Sequence, residues 1–263
     1  CAYSISEAGS DWRKVIFINA ETKQSICDKL IDVKFSGLSW KANEGVYYSS
    51  YDKPKGSELS AKTDQHKLYF HKLGTNQSED VLIFGDKEKR RYVGGSVSDD
   101  NHYLFISAAN STSGNELYVQ DLTQPNNEIK SIHSGFEYDV RVLDNVGTQL
   151  YLITNLGAPN KRIVTVDVNS ASVSNWKDCI AETEQVLSPS TGAGFIFANY
   201  MKDAVSVVKQ FDYNGKLVRE IQLPGLGTAS GFSGKSEDEA LYFSFTNYVT
   251  PNTTYKFLPI EGK

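Results

Sequence analysis

The stretch Gln149-Leu150-Tyr151-Leu152-Ile153-Thr154 has the pattern of one short strand, and its central hydrophobic pair returns along the chain at a nearly constant spacing. The corresponding pairs are 46, 45 and 46 residues apart, and they are Leu104-Phe105, Leu150-Tyr151, Phe195-Ile196 and Leu241-Tyr242. A second series of hydrophobic pairs follows within the units, namely Leu117-Tyr118, Ile163-Val164 and Val207-Val208. A β-rich unit that repeats about every 45 residues is typical of the blades of a β-propeller.

Short hydrophobic runs separated by turn residues predict about four strands in each unit. In one unit they are Val140–Leu143, Gln149–Thr154, Arg162–Asp167 and Trp176–Ile180. Asp212-Tyr213-Asn214-Gly215 predicts a tight hairpin, because Asn-Gly favours the backbone of such turns. Nowhere do apolar residues recur with the period of a long amphipathic helix. The sequence therefore predicts an all-β fold.

The number of units predicts an incomplete β-propeller that forms a single domain over residues 1–263. It comprises about five four-stranded blades, the last without its fourth strand, after a partial blade of three strands in residues 2–32. β architectures of this length commonly form one domain. Between the predicted strands Val46–Tyr51 and Lys67–Lys72 lies the polar stretch Asp52–Gln65. Loops of this length are uncommon unless they are functional or mobile, so this stretch is a candidate functional loop.

Composition excludes several classes of partner. The chain has 27 basic and 32 acidic residues, and the basic residues are scattered rather than clustered, which argues against nucleic acid. No apolar stretch approaches the roughly 20 residues that cross a bilayer, so no membrane association is predicted. We expect a soluble chain, and the compartment, bacterial periplasm or cytoplasm, stays open.

The cysteines and histidines do not indicate a metal or a cofactor. Cys1, Cys27 and Cys179 are odd in number and far apart, which does not favour a disulfide framework. His66 and His71 lie five positions apart on one predicted strand, so they point to opposite faces and cannot share a metal ion. We interpret all four histidines as surface residues, and we predict no metal site and no cofactor.

A nucleophile elbow is also missing. It requires Gly-x-Ser-x-Gly, and the nearest fragments, Gly227–Gly231 and Gly231–Gly234, have the wrong spacing. Since no Ser/Asp/His triad is found either, this chain alone is predicted to hold no catalytic residues and to be inactive.

Several segments, taken together and in order, closely resemble the β-propeller of the prolyl oligopeptidase family, particularly its bacterial members. The resemblance covers the whole chain. It rests on Gly9-Ser10-Asp11-Trp12, Val33–Trp40, His66–Asp80, Gly94-Gly95 with Ser98-Asp99-Asp100, Trp176-Lys177-Asp178 and Tyr242–Pro251.

The resemblance implies a fold, an activity and partners. In that family a seven-bladed propeller caps an α/β-hydrolase domain that carries Ser, Asp and His, and short peptides are cleaved after proline. This chain would correspond to blades two to seven, without the opening strand of blade two, the last strand of blade seven and the hydrolase domain. Its implied partners are the α/β-hydrolase domain and short proline-containing peptides.

The resemblance also implies roles for five residues. Asp11 matches an aspartate that pairs with an arginine of the hydrolase domain, and Trp12 stands beside it at the interdomain surface. Phe35 matches an aromatic residue that lines the outer substrate pocket. Val93 and Thr112 fall at two further pocket positions, although the family's mammalian members carry methionine and cysteine there.

Two functions follow from these observations. The first is the noncatalytic propeller of a prolyl oligopeptidase, which filters substrates by size and completes the substrate pocket. The alternative is a stand-alone propeller that acts as a protein-binding module, because fold alone does not decide function.

Overall fold

A computed structural model describes residues 1–52, 63–87, 89–124 and 127–263. In these ranges the regular secondary structure is almost entirely β-strand, which confirms the predicted all-β class. The strands form antiparallel sheets, each of which is a meander of strands consecutive in sequence. Short 3-10 helices occur at Gln77–Glu79, Val168–Ser170 and Val173–Asn175. By internal contacts the chain divides into two compact units, Cys1–Glu137 and Tyr138–Lys263.

The first unit contains one three-stranded sheet and two four-stranded sheets. The first sheet consists of β1 (Ala2–Ser6), β2 (Trp12–Ile18) and β3 (Ser25–Lys34). The middle sheet consists of β4 (Ser39–Lys41), β5 (Gly45–Tyr51), β6 (His66–Lys72) and β7 (Val81–Phe84). The third sheet consists of β8 (Tyr92–Val97), β9 (Tyr103–Ala109), β10 (Glu116–Asp121) and β11 (Lys130–His133).

The second unit contains two four-stranded sheets and one three-stranded sheet. Its first sheet consists of β12 (Val140–Val146), β13 (Gln149–Thr154), β14 (Arg162–Asp167) and β15 (Lys177–Ile180). Its second sheet consists of β16 (Leu187–Gly192), β17 (Phe195–Lys202), β18 (Val205–Phe211) and β19 (Leu217–Glu220). Its last sheet consists of β20 (Thr228–Ser233), β21 (Leu241–Thr246) and β22 (Thr253–Phe257). The single-domain boundary at residues 1–263 stays a prediction.

Most predicted strands are present within a few residues of the expected bounds. The Asn-Gly hairpin is present as well, because the Gly215 N–H donates to the Asp212 carbonyl at 3.0 Å and joins β18 to β19. The clearest difference is β16, for which the sequence predicted only Val186–Leu187. The strand extends through Pro189 to Gly192. Since β16 is an edge strand, Pro189 can occupy it without removing a hydrogen bond from the interior of a sheet.

The strand β5, in the middle sheet of the first unit, is buried on both faces. Every residue of β5 is buried, and β3 and β8 of the neighbouring sheets pack against it. The interpretation of the histidines as surface residues is therefore wrong for His66 and His71, which have no exposed surface. It is also wrong for His133, whose buried Nδ1 lies 3.0 Å from the Asn115 carbonyl. Residues that point to opposite faces of a strand can both be buried when neighbouring sheets cover both faces.

The predicted functional loop Asp52–Gln65 falls largely outside the described residues, which omit residues 53–62. Its two ends are well defined, because Tyr51 at the end of β5 pairs directly with His66 at the start of β6. The loop therefore leaves and re-enters the middle sheet at one rung of the β5–β6 ladder. That rung is also where the candidate site lies.

Candidate functional site

Asp11 and Phe35 lie at the same end of the β2–β3 ladder. Trp12, the first residue of β2, pairs with Lys34, the last residue of β3. Asp11 precedes this rung and Phe35 follows it, so the antiparallel pairing brings two residues 24 positions apart in sequence to one end of the sheet. Asp11 is exposed in the turn between β1 and β2, whereas the Trp12 ring is buried.

Lys34 lies between two aromatic rings, that of Trp12 in the same rung and that of Phe35, which follows the rung. The Lys34 Nζ lies 4.9 Å from the centre of the Trp12 ring and 5.1 Å from the centre of the Phe35 ring. Lys34 is itself buried, so its ammonium group gains from both ring faces in a site with little water. The Trp12 Nε1–H is buried too, and it has no acceptor among the described residues.

Phe35 is the exposed member of a group of aromatic rings. Its ring centre lies 6.2 Å from that of Tyr51, edge to face, and 6.3 Å from that of Tyr92. About half of the Phe35 surface, 49%, is exposed, and Trp12 completes the group through Lys34. We refer to Trp12, Phe35, Tyr51 and Tyr92 as the aromatic cluster. The cluster lies at the ends of four strands, β2, β3, β5 and β8, and Phe35 contributes most of its exposed apolar surface.

The backbone of Phe35 adopts a conformation that bulky residues rarely take. Its φ is +51°, in the left-handed region. A bulky side chain with this backbone costs free energy, and it persists only where the surrounding structure holds it. The conformation turns the chain sharply between β3 and β4 and leaves the ring at the surface.

His66 lies beneath the aromatic cluster and contacts two different sheets. Its Nδ1 accepts a hydrogen bond from the Val93 N–H at 2.9 Å, and its Nε2 donates to the Lys34 carbonyl at 3.0 Å. The Val93 N–H can only donate, so Nδ1 must be the unprotonated nitrogen and the imidazole is neutral. The ring also stacks on Tyr51, with centres 4.3 Å apart. Burial lowers the pKa of His66 to about 4, because the charged form would lose its hydration.

The neutral state of His66 predicts a loss of stability in mild acid. In the unfolded chain the imidazole has a pKa of 6.5, so between pH 6.5 and about 4 the unfolded state binds the extra proton. The contribution is complete above pH 6.5 and disappears as the pH falls towards 4. It amounts to about 3 kcal/mol, at ~1.4 kcal/mol for each pKa unit.

Urea denaturation at several pH values measures this contribution. The difference in unfolding free energy between the native protein and the His66→Phe variant should shrink by about 3 kcal/mol from pH 7 to pH 4. A difference that stays constant over this range would show that His66 does not gain a proton on unfolding.

The two remaining pocket residues lie in different surroundings. Val93 is buried, and its side chain packs in a core cluster with Tyr47, Leu68 and Leu104. Thr112 is exposed in the connection between β9 and β10. That connection begins beside the cluster, because the Asn110 Oδ1 accepts from the Arg91 N–H at 3.3 Å. Of the three predicted pocket residues, Phe35 thus belongs to the aromatic cluster and Val93 lies beneath it.

A largely buried ion pair supports the same end of the third sheet. The Arg90 guanidinium donates to Glu116 through Nε at 2.6 Å and Nη2 at 3.1 Å. The guanidinium also lies 5.2 Å from the centre of the Phe136 ring. Gly114 approaches Phe136 so closely that a Cβ would lie 1.7 Å from its carbonyl oxygen. These contacts hold the two ends of the Thr112 connection.

Sequence reasoning did not find Lys34, Tyr51, His66 and Tyr92. Two signals were available: Lys34 adjoins Phe35, and His66 adjoins the long polar loop. Neither indicates a contact between sheets, which depends on how the sheets pack. Among the described residues, no group of three or more His, Cys, Asp or Glu is arranged to hold a metal ion, and Cys1 and Cys179 are free thiols.

No helix among the described residues combines the length and the apolar character that a membrane span requires.

Comparisons with known proteins agree over the full length of the chain. Residues 1–263 match the family model described as prolyl oligopeptidase, N-terminal beta-propeller domain. The chain is 57% identical to a prolyl endopeptidase of Elizabethkingia meningoseptica, covering 99% of this chain and 37% of that protein. It is 55% identical to the prolyl endopeptidase of Elizabethkingia miricola, covering 100% of this chain and 37% of that protein.

A solved structure gives the same result. It comes from a study of two prolyl endopeptidases and the role of inter-domain dynamics in their catalysis and specificity. It superposes with a TM-score of 0.91 at 32% identity, over 100% of this chain and 38% of that one. The chain thus spans little more than a third of the length of the proteins it matches. On this family match, the chain belongs to the N-terminal β-propeller domains of the prolyl oligopeptidase family.

Proposed function

We propose that this chain is the noncatalytic propeller of an enzyme that cleaves short peptides after proline. The observation that carries the proposal is the family match over residues 1–263, together with the 37% of each bacterial relative that the chain covers. The remaining length leaves room for the catalytic domain of such an enzyme. The chain then contributes a filter that admits short peptides and one wall of the substrate pocket.

The aromatic cluster is the proposed pocket wall. Phe35 is half-exposed and flanked by Tyr51 and Tyr92, so an apolar side chain or a proline ring can cover its face. Covering such a ring contributes about 1 kcal/mol or more through the apolar surface removed from water. Thr112 stands at the edge of this wall, and Val93 supports it from below.

Asp11 and Trp12 are the proposed contacts with the catalytic domain. The Asp11 carboxylate is exposed beside the cluster, where an arginine of that domain can pair with it in a bidentate geometry. Trp12 adjoins Asp11 in the chain, and its buried ring supports the turn that presents this carboxylate to the same domain. The filter operates by movement between the two domains, since interfaces between domains are commonly mobile.

The experiment uses the full-length protein that the native gene encodes and a chromogenic peptide that contains proline. We expect a mass well over twice 29.2 kDa and hydrolysis after proline. The substitution Asp11→Asn should lower kcat/KM by about tenfold to a hundredfold, because a hydrogen bond to a charged group contributes about 1.5–3 kcal/mol.

Glu7→Gln is the matched control, since it removes one negative charge from the same turn. Glu7 is exposed and pairs with Lys14 at 2.8 Å, so its loss should leave kcat/KM unchanged. A native product near 29.2 kDa without hydrolysis would contradict the proposal and favour a stand-alone binding module. Equal effects of the two substitutions would refute the role of Asp11 alone.

A further inference from the structure

His66 satisfies backbone groups that the sheets themselves leave open. β3 is an edge strand of the first sheet and β8 is an edge strand of the third. An edge strand presents N–H and C=O groups that no neighbouring strand of its own sheet can pair. The Lys34 carbonyl and the Val93 N–H are two such buried groups, and the imidazole of His66 bonds to both. One side chain of the middle sheet therefore links the sheets on either side of it.

Both of these backbone groups adjoin the aromatic cluster. Lys34 directly precedes Phe35, and Val93 directly follows Tyr92. The distance between the two bonded groups is set by the fixed separation of the two ring nitrogens of His66. Because Phe35 has a left-handed backbone, its position depends on how firmly the preceding carbonyl is held.

His66 is itself held in place. Its N–H donates to the Arg90 carbonyl at 2.7 Å. Gly85 approaches the His66 carbonyl so closely that a Cβ would lie 2.4 Å from the oxygen, and its φ is +100°. The imidazole also stacks on Tyr51, a ring of the aromatic cluster that contacts Phe35. A side chain anchored at its backbone and along its face can position other groups.

We infer that His66 is a positioning residue: its two hydrogen bonds set the placement of Phe35 against Tyr92 and thereby the affinity of the aromatic cluster for substrate. This inference rests on the function proposed above. His66 has no exposed surface and lies under the cluster, so it acts through Phe35 and Tyr92 and not by touching substrate.

Three variants of the full-length protein separate the two hydrogen bonds. His66→Phe keeps an aromatic ring on Tyr51 and removes both bonds. His66→Gln places an amide N–H where Nε2 stands, so it keeps the bond to the Lys34 carbonyl. His66→Asn places an amide oxygen where Nδ1 stands, so it keeps the bond to the Val93 N–H.

Two chromogenic substrates report on the aromatic cluster. Both carry glycine and proline before a p-nitroanilide, and they differ only in an N-terminal benzyloxycarbonyl or acetyl group. His66→Phe should raise KM for the benzyloxycarbonyl substrate about tenfold, with kcat within about twofold, as expected for the loss of one hydrophobic pocket contact. KM for the acetyl substrate should change far less. His66→Gln should lie closest to the native protein, and His66→Asn should be intermediate.

His133→Phe is the matched control. It replaces another buried histidine of the same unit, which bonds to the Asn115 carbonyl and is not part of the cluster. It should leave the KM ratio of the two substrates unchanged. An equal rise of the ratio in this control, or an unchanged ratio in a folded His66→Phe variant, would overturn the inference.

A second measurement does not depend on catalysis. With 4-fluorophenylalanine at position 35, the ¹⁹F resonance should shift or split in His66→Phe and stay in place in His133→Phe. An unmoved resonance in His66→Phe would overturn the inference. If the native protein cleaves neither substrate, the proposed function fails, and the ¹⁹F result still decides whether His66 positions Phe35.

Discussion

The substitution His71→Ala is expected to lower the free energy of unfolding by about 3–5 kcal/mol, because it leaves two buried carboxylates without their shared partner. His71 has no exposed surface and lies between Asp28 and Asp80, both almost fully buried. Its Nδ1 donates to the Asp80 Oδ1 at 2.7 Å, and its Nε2 lies 3.8 Å from the Asp28 Oδ2. The imidazole ring also stacks on Phe17, with centres 5.7 Å apart.

The carboxylates around His71 are tied to the backbone of the first two sheets. The Asp28 Oδ2, in β3, accepts from the Gly74 N–H at 2.5 Å. The Asp80 Oδ2, just before β7, accepts from the Tyr48 hydroxyl at 2.7 Å. Burial raises the pKa of Tyr48, so the phenol keeps its proton and remains a donor. Loss of His71 therefore weakens a network that joins the first sheet to the middle sheet.

Urea denaturation of the full-length protein, followed by tryptophan fluorescence, measures this effect. His102→Ala is the matched control: its Nε2 lies 3.6 Å from Asp121, but the pair is partly exposed. It should cost about 1 kcal/mol or less. Adding Asp28→Asn and Asp80→Asn to His71→Ala should recover part of the loss. Equal costs for the two histidines would show that burial of the carboxylates does not determine the effect.

The substitution Arg90→Met is expected to lower the free energy of unfolding by about 3–5 kcal/mol as well, because the buried Glu116 side chain would lose its ion-pair partner. The two side chains form a bidentate pair, and they are 15% and 9% exposed. The Arg90 carbonyl also accepts from the His66 N–H, so the pair stands next to the proposed positioning residue. Part of the effect should therefore reach the aromatic cluster.

Two further variants test whether the buried charge of Glu116 accounts for the loss of stability. Arg162→Met breaks an arginine–aspartate pair in the second unit, in which Asp178 is 48% exposed, and should cost about 1 kcal/mol or less. The double variant Arg90→Met/Glu116→Leu should recover most of the loss, because an apolar pair of similar volume replaces the buried charges. The measurement is the urea midpoint of each variant. A double variant as unstable as Arg90→Met would mean that the packing of the guanidinium on Phe136, and not the buried charge, is what matters.

The strands were largely predictable because each one depends on residues that are near one another in sequence. The predicted bounds of Gln149–Thr154 and Arg162–Asp167 coincide with β13 and β14. Prediction was poor where tertiary position overrides local preference. Pro189 and Gly192 disfavour a strand, yet β16 includes both as an edge strand paired on one side with β17.

The candidate site was predictable only in part. The family resemblance selected Asp11 and Phe35, and the β2–β3 pairing places them at one end of the same ladder. The burial of the histidines could not be predicted from the local pattern. A period of two assigns His66 and His71 to opposite faces, but it does not reveal that neighbouring sheets cover both faces.

The sequence by itself determined the all-β class, the repeat of about 45 residues and the family, because these follow from local alternation and from residues in a fixed order. Only the tertiary structure decided which edge groups meet. The Lys34 carbonyl, His66 and the Val93 N–H belong to three different sheets, and their contact depends on how those sheets pack. Buried edge groups must find hydrogen-bond partners, and the partner that satisfies them is set by packing across sheets, which no local pattern records.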